Sequence, residues 1–277
     1  MMWIKKLLLI LLLCSVCQAA NDFSGDANCF ALWNFENGQL TTDSKSTNTL
    51  TNSGVVADTV NYKEGLASGD WEMTESDYMT IADGSLSAGF PLKNGDANKK
   101  ISVCFWYRME SLPVNNNDYK VLCSKYNSTL NSRSFAVIHH KSLLYGQELL
   151  LQIGHTNGTN AESQWLDRIE LAVNVWYHVG VTFQDSDKAF RIRLYDSAST
   201  NTYDRTGTFL NNVSVEDAAW TIGQYASLVA GVYHDGLIDE MVVFNDILSS
   251  GEIDQIRSGT FSAATVGGGQ LITIQEF

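Results

Sequence analysis

The eight residues Leu237-Ile-Asp-Glu-Met-Val-Val-Phe244 limit the possible folds more than any other stretch of the chain. They read as a strand. Ile238, Val242 and Phe244 fall on one side, and Leu237, Met241 and Val243 on the other. Both sides are apolar, so the strand is expected to be covered on both faces. Asp239 interrupts one face and Glu240 the other. A carboxylate in a covered strand needs a cation or several hydrogen-bond donors, because leaving it bare is costly.

A helix follows at once. Ser249 and Glu252 have the S-x-x-E spacing of a capping box, and Leu248 and Ile253 stand at the hydrophobic-staple positions. Ile253 and Ile256 share one face, and Gly259 stands where a glycine ends a helix. The pattern predicts a helix over 250–257, the only clear one of the mature chain.

The chain opens as an export leader. Lys5-Lys6 precedes an apolar run from Leu7 to Leu13, and Ala19-Ala20 supplies small residues for cleavage. The run is too short to span a membrane. A signal peptide over 1–20 is expected, with a lipoprotein signal as its rival. It implies a secreted, extracytoplasmic protein with no membrane insertion after the leader is removed.

The formal net charge is −13, and the leader carries two of the lysines and no acid. Such a surface repels nucleic acid and anionic membrane, and suits a divalent cation. Two prolines in 277 residues, with many Thr, Val, Tyr and Asn between short turn clusters, point to an all-β sandwich. The expected division is a leader at 1–20, one domain over 21–260, and a tail or edge strand at 261–277.

Three cysteines remain after the leader: Cys29, Cys104 and Cys123. Export permits disulfides. Cys104 and Cys123 lie on two expected strands, 19 residues apart, and are the expected pair, leaving Cys29 as a buried thiol.

The first strand is expected at 28–35. A loop dense in oxygen-bearing side chains follows, including Asp43 and Asn48. Residues 69–84 suggest a hairpin whose second arm is Tyr78–Ile81. Lys100–Met109 alternates cleanly and should be a central strand. Further strands are expected at Tyr119–Lys125, Ser134–His139, Gln147–Gly154, Arg168–Val173, 175–183, 190–195 and Ala219–Gly223.

Four ordered pieces now resemble a known family. They are Trp33-Asn-Phe-Glu36 with Asp43-Ser44; Asp77-Tyr-Met-Thr-Ile81; Trp176-Tyr-His-Val179 with Leu194-Tyr195; and Gly236-Leu-Ile-Asp239-Glu240 running into Leu248-Ser249 and Glu252-Ile253. Together they are similar to a LamG-like (laminin G-like) domain of the concanavalin A-like lectin/glucanase superfamily. The resemblance covers about 28–258. It implies an all-β fold, a two-sheet antiparallel jelly-roll sandwich (concanavalin A-like) with one short C-terminal helix. It also implies a structural calcium ion (Ca2+) joining the first loop to the closing strand. Carried over by residue, its ligands would be Asp239, Glu36, Asp43 and Asn48, with carbonyls and water completing the shell. The alternative is that Asp239 is held by backbone N–H groups alone.

The superfamily includes glucanases, so catalysis would need its own carboxylates. Retaining glycosidases set two carboxylates about 5–5.5 Å apart, which an E-x-D-x-E strand achieves. No acid stands two residues before Asp239, and Glu240 is expected on the opposite face. H-E-x-x-H, G-x-S-x-G and P-loop patterns are absent from the sequence. The chain reads as a non-enzyme that recognises a carbohydrate or a cell-surface or extracellular protein. Trp165, expected on a loop, and Trp71 are the candidate ligand-stacking residues, although core packing is the default for a Trp in a sandwich. The other reading is a structural or adhesive surface protein without a small ligand.

Overall fold

The computed structural model describes residues 21–262. The expected leader at 1–20 and the expected tail beyond 262 lie outside the described residues. In chain order the strands are β1 (Cys29–Trp33), β2 (Thr51–Ser53), β3 (Val56–Asp58), β4 (Ser68–Trp71), β5 (Tyr78–Ile81), β6 (Lys100–Met109), β7 (Tyr119–Asn127) and β8 (Ser132–Ser142). They continue as β9 (Gly146–His155), β10 (Asn160–Leu166), β11 (Trp176–Gln184), β12 (Ala189–Asp196), β13 (Thr202–Thr208), β14 (Trp220–Ile222) and β15 (Gly236–Phe244). Helix α1 (Ser250–Arg257) closes the domain.

The strands form two antiparallel sheets packed face to face. The eight-stranded sheet runs β13-β12-β11-β6-β15-β4-β3, with β1 added against β15. The seven-stranded sheet runs β10-β9-β8-β7-β14-β5-β2. The expected two-sheet sandwich is therefore the fold, and β6 is a central strand as its alternation implied. Between the sheets lies one large apolar core, with Trp33, Trp71 and Trp220 fully buried in it. Burying side chains of this size contributes about 1.5–3 kcal/mol each.

The outer face of the eight-stranded sheet carries a second core. Phe23, Cys104, Val242, Phe244, Leu248, Ile253, Ile256 and Phe261 make it. This cluster is why β15 is apolar on both sides: the sheet core takes Ile238, Met241 and Val243, and the helix side takes Val242 and Phe244. Helix α1 matches the predicted span residue for residue. Ser249 Oγ accepts from Glu252 N at 3.2 Å, and Glu252 Oε2 accepts from Ser249 N at 2.7 Å. Gly259 has φ +70° at the helix end.

Four local expectations are corrected. Residues 69–84 are not a hairpin: β4 belongs to the eight-stranded sheet and β5 to the seven-stranded one, so the chain crosses between layers. No strand forms at Arg168–Val173. Arg168 has φ +60°, and the strand lies earlier, as β10. Ile169 and Leu171 are buried, which explains the apolar signal. Strand β13 was missed because its sequence is polar and mostly exposed.

The fourth correction concerns the cysteines. The Cys104–Cys123 bridge does not form, and all three cysteines are free and buried. Cys104 packs on the helix side of its sheet, whereas Cys123 faces the inter-sheet core. The two sulfurs are thus separated by a sheet layer. Burial pushes the Cys29 thiol up to about 12 and the other two higher still, so none is a ready nucleophile.

Candidate functional site

The acid of β15 sits at a gap in its sheet. Residues Gly236–Ile238 pair with β4, and Met241–Phe244 pair with β1. Between them the ladder with β6 slips, and Glu240 takes φ +51°. This bulge adds a residue and resets the alternation. Glu240 therefore does not point away from Asp239. It lines the same outer hollow as Glu64, Trp106 and His178.

The crossing chain fills the gap. Asp239 is fully buried, and its Oδ2 accepts from Lys63 N at 2.8 Å and Glu64 N at 3.2 Å. Its Oδ1 has no donor. Burial first, then the neighbouring Glu240 carboxylate, holds its pKa well above the usual carboxylate range, against the backbone hydrogen bonds. Glu240 accepts from Asn34 Nδ2 through both oxygens, at 2.9 and 2.8 Å. Burial pushes its pKa up to about 8.

The other three expected calcium ligands do different work. Asp43 Oδ1 accepts from the backbone N–H groups of Leu32, Lys45 and Ser46, and its Oδ2 from Asn48 N and Nδ2. Asn48 Nδ2 also donates to Phe30 O, and its Oδ1 accepts from Ser87 N. These two residues knit the first loop to β1. Both Glu36 oxygens accept from Leu66 N, at 3.0 and 3.1 Å. Gly65, with φ +65°, makes room for that carboxylate, since a Cβ there would lie 1.5 Å from Glu36 Oε1. Glu36 does share a hollow with Glu240 and Glu64. Of the four, only Asp239 keeps a buried oxygen without a donor.

Trp71 cannot stack on a ligand. It is fully buried, edge-on to Phe35 at 5.4 Å and to His234 at 6.2 Å. Its position on β4, facing the opposite sheet, makes it core. Trp165 is different. It lies on β10 rather than on a loop, it is 39% exposed, and it walls a surface hollow together with three tyrosines.

That hollow encloses about 420 Å³ over the outer face of the seven-stranded sheet. Its floor is Ile138 of β8 and Leu150 of β9. Tyr119 and Tyr126 of β7 stand on one side, and the segment after β14 brings Tyr225 and Val229 over them. Tyr126 and Tyr225 stack at 4.6 Å, with Tyr119 6.0 Å from Tyr225. Burial raises the pKa of all three phenols, so they stay neutral. The polar lining is Asn117, Ser128, His140 and Gln152. His140 Nδ1 lies 3.0 Å from Glu148 Oε2, and Gln152 Nε2 donates to Ser163 Oγ at 3.0 Å. Rings, an aliphatic floor and a few amides suit a ligand with apolar C–H faces and hydroxyl edges.

Apart from Trp165, the tyrosines of this hollow escaped the sequence reading. They come from two separated segments, β7 and the stretch after β14, which only the fold brings together. A third cluster, Asp70, Glu72 and Glu110, brings three carboxylates within 4.8 Å of one another near the C-terminal ends of β4 and β6. Burial, then Glu110 and Glu72, pushes the Asp70 pKa up to about 6.

Comparison with known proteins agrees with the two-sheet fold. A family model described as the concanavalin A-like lectin/glucanases superfamily (Laminin_G_3) matches residues 74–254, more than half of the chain. No curated protein matches the sequence. Among solved structures, tailspike protein 2 of an Escherichia coli O157:H7 bacteriophage superposes with TM-score 0.51 at 12% identity, over 90% of this chain and 29% of that one. The enzymatically active domain of bacteriophage CBA120 tailspike protein 2 gives TM-score 0.50 at 12% identity, over 90% and 32%. This chain thus spans about a third or less of those tailspikes. A Ruminococcus gnavus IT-sialidase CBM40 bound to sialyllactose gives TM-score 0.41 at 15% identity, over 64% and 95%, too loose a match to argue from. At these identities the likeness shows fold alone.

Proposed function

We propose that this chain, which belongs to the concanavalin A-like lectin/glucanases superfamily, is a secreted, non-catalytic recognition module that holds a carbohydrate over its seven-stranded sheet. The leader at 1–20 would export it, and residues 21–260 would be the recognition domain. One observation carries the reading: Trp165, Tyr119, Tyr126 and Tyr225 wall a single hollow with amide side chains between them. Sugars are held in this way, by C–H faces on rings and hydroxyls on amides. The hollow's lining carries no Asp or Glu, which supports binding over hydrolysis.

The test is a glycan screen on the purified protein beside its Trp165→Ala and Tyr225→Ala variants. Binding lost in both variants supports the proposal. Hydrolysis of a bound polysaccharide would overturn the non-enzyme part, and binding unaffected by either variant would move the site elsewhere.

A structural calcium ion is a separate proposal. The donor-free Oδ1 of Asp239 supports it. Asp43 and Asn48 do not fit as its ligands, since their oxygens are already occupied by N–H groups. A six- to eight-oxygen shell would then draw on backbone carbonyls and water beside Asp239.

The adhesive reading has one observation in its favour. The turn joining β8 to β9 presents Leu143 and Leu144 to solvent, 71% and 78% exposed. Loss of surface attachment in a Leu143→Ser, Leu144→Ser variant with intact glycan binding would favour it.

A further inference from the structure

We infer that the hollow over the seven-stranded sheet selects an uncharged saccharide, one that donates a hydrogen bond to Gln152, and rejects sugar acids. The inference rests on the carbohydrate reading above and adds the ligand's chemical class.

Three observations lead to it. The first is charge. The lining contains no lysine or arginine. Two guanidinium groups lie close behind, and both are occupied. Arg133 donates from Nε to Tyr126 Oη at 3.0 Å, from Nη1 to Gly158 O at 2.8 Å and Thr159 O at 2.6 Å, and from Nη2 to Ser128 O at 3.2 Å. Arg205 donates to Trp165 O and to Gln164 Oε1. The one imidazole in the wall, His140, is tied to Glu148, a carboxylate that is itself buried. A ligand carboxylate seated here would leave water, meet no free cation and lie near that anion. Burying an unpaired charge is the most expensive of these arrangements.

The second observation is an unanswered acceptor. Gln152 lines the hollow, and its Nε2 donates to Ser163 Oγ at 3.0 Å, which leaves Oε1 for another partner. That oxygen is buried and has no donor. A buried acceptor left unpaired costs about 1–3 kcal/mol. A sugar hydroxyl or an acetamido N–H would satisfy it, so the acceptor calls for a saccharide donor, while the exclusion of sugar acids rests on the charge argument. A site built around such an acceptor rejects ligands that lack the matching donor.

The third is the platform. The phenols are neutral and stacked, so they offer ring faces and hydroxyls but no charge. The hollow, at about 420 Å³, falls within the ordinary size range of small-ligand sites.

The experiment is affinity electrophoresis and calorimetry on the full chain with two sets of probes. Laminarin, mannan and chitohexaose are the neutral set; sialyllactose and polygalacturonate are the acidic set. At least one neutral probe should bind, with little dependence on salt. Both acidic probes should bind about tenfold or more weakly than it. Gln152→Leu should weaken the neutral probe about tenfold or more, while Gln152→Glu, which keeps an acceptor there, should retain more of the affinity. Tighter binding of either acid probe, or full affinity in Gln152→Leu, overturns the inference and leaves the carbohydrate reading standing. Failure of every probe to bind overturns both. Circular dichroism of each variant shows whether the fold persists.

Discussion

Gly180 of β11 lies directly under Ile253 of α1: a Cβ placed on the glycine would sit 2.5 Å from Ile253 Cγ2. The helix rests on the sheet because a side chain is missing there. Gly180→Ala should therefore lift α1 and cost about 1–3 kcal/mol, as overpacking does. Ile253→Ala should cost about 2–5 kcal/mol. The double variant should cost less than the two together, because truncating the isoleucine clears the space the new methyl needs. Urea denaturation of all four proteins gives the answer, and strict additivity would show that the contact is not the cause.

His139 gives the domain an acid-side weakness. It is fully buried on β8 with Nε2 3.0 Å from Gln147 Oε1, and burial pushes its pKa from 6.5 to about 3. The unfolded chain then binds the proton that the folded one refuses. Its contribution is fully present above pH 6.5 and is lost as pH falls toward 3. Glu240 acts oppositely, since its contribution is present below 4.5 and lost as pH rises through about 8. The difference between wild type and His139→Gln isolates the histidine. It should shift in the variant's favour by about 2 kcal/mol between about pH 7 and about pH 5, read by urea denaturation.

Asp43 and Asp239 should part company under calcium. Asp43→Ala leaves five N–H groups without their acceptor and should cost about 3 kcal/mol or more, whether calcium or a chelator is present. If an ion binds at Asp239, calcium should raise the wild-type melting temperature and leave Asp239→Asn unmoved. At about a hundredfold excess over Kd the gain is about 2.7 kcal/mol. Equal midpoints for wild type in calcium and chelator would remove the ion.

The three thiols should be silent until the fold opens. Iodoacetamide should label none of Cys29, Cys104 and Cys123 in the native protein. In urea without reductant, mass spectrometry of a chain comprising residues 21–277 should show three additions. A single addition would mean that two of the sulfurs are bridged after all.

The closing helix was the most legible part of the chain, because its cap, staple and terminating glycine all act within residues 248–259. Strand β6 was equally plain, since both its alternation and its neighbours are strong. The bulge at Glu240 was not readable: nothing in Asp239-Glu240 signals that β15 exchanges one partner strand for another at that point. For the same reason Asp239 was known to need donors, but not that the main chain at Lys63 and Glu64 supplies them. Trp71 and Trp165 could not be separated, because exposure depends on which strands lie opposite. The sulfurs of Cys104 and Cys123 misled because separation along the chain carries no information about sheet layers.

Asp22 and Ser262 form a parallel bridge, and Asp22 N donates to Phe261 O at 2.8 Å. Both ends of the described fold thus leave from one seam on the helix-bearing back of the sandwich, while the tyrosine-walled hollow opens on its front. Any tether joined at either end would hold the domain like a plate gripped from behind, its front turned outward. Reporter fusions at that seam should be tolerated, and several copies strung together could each keep an unobstructed mouth.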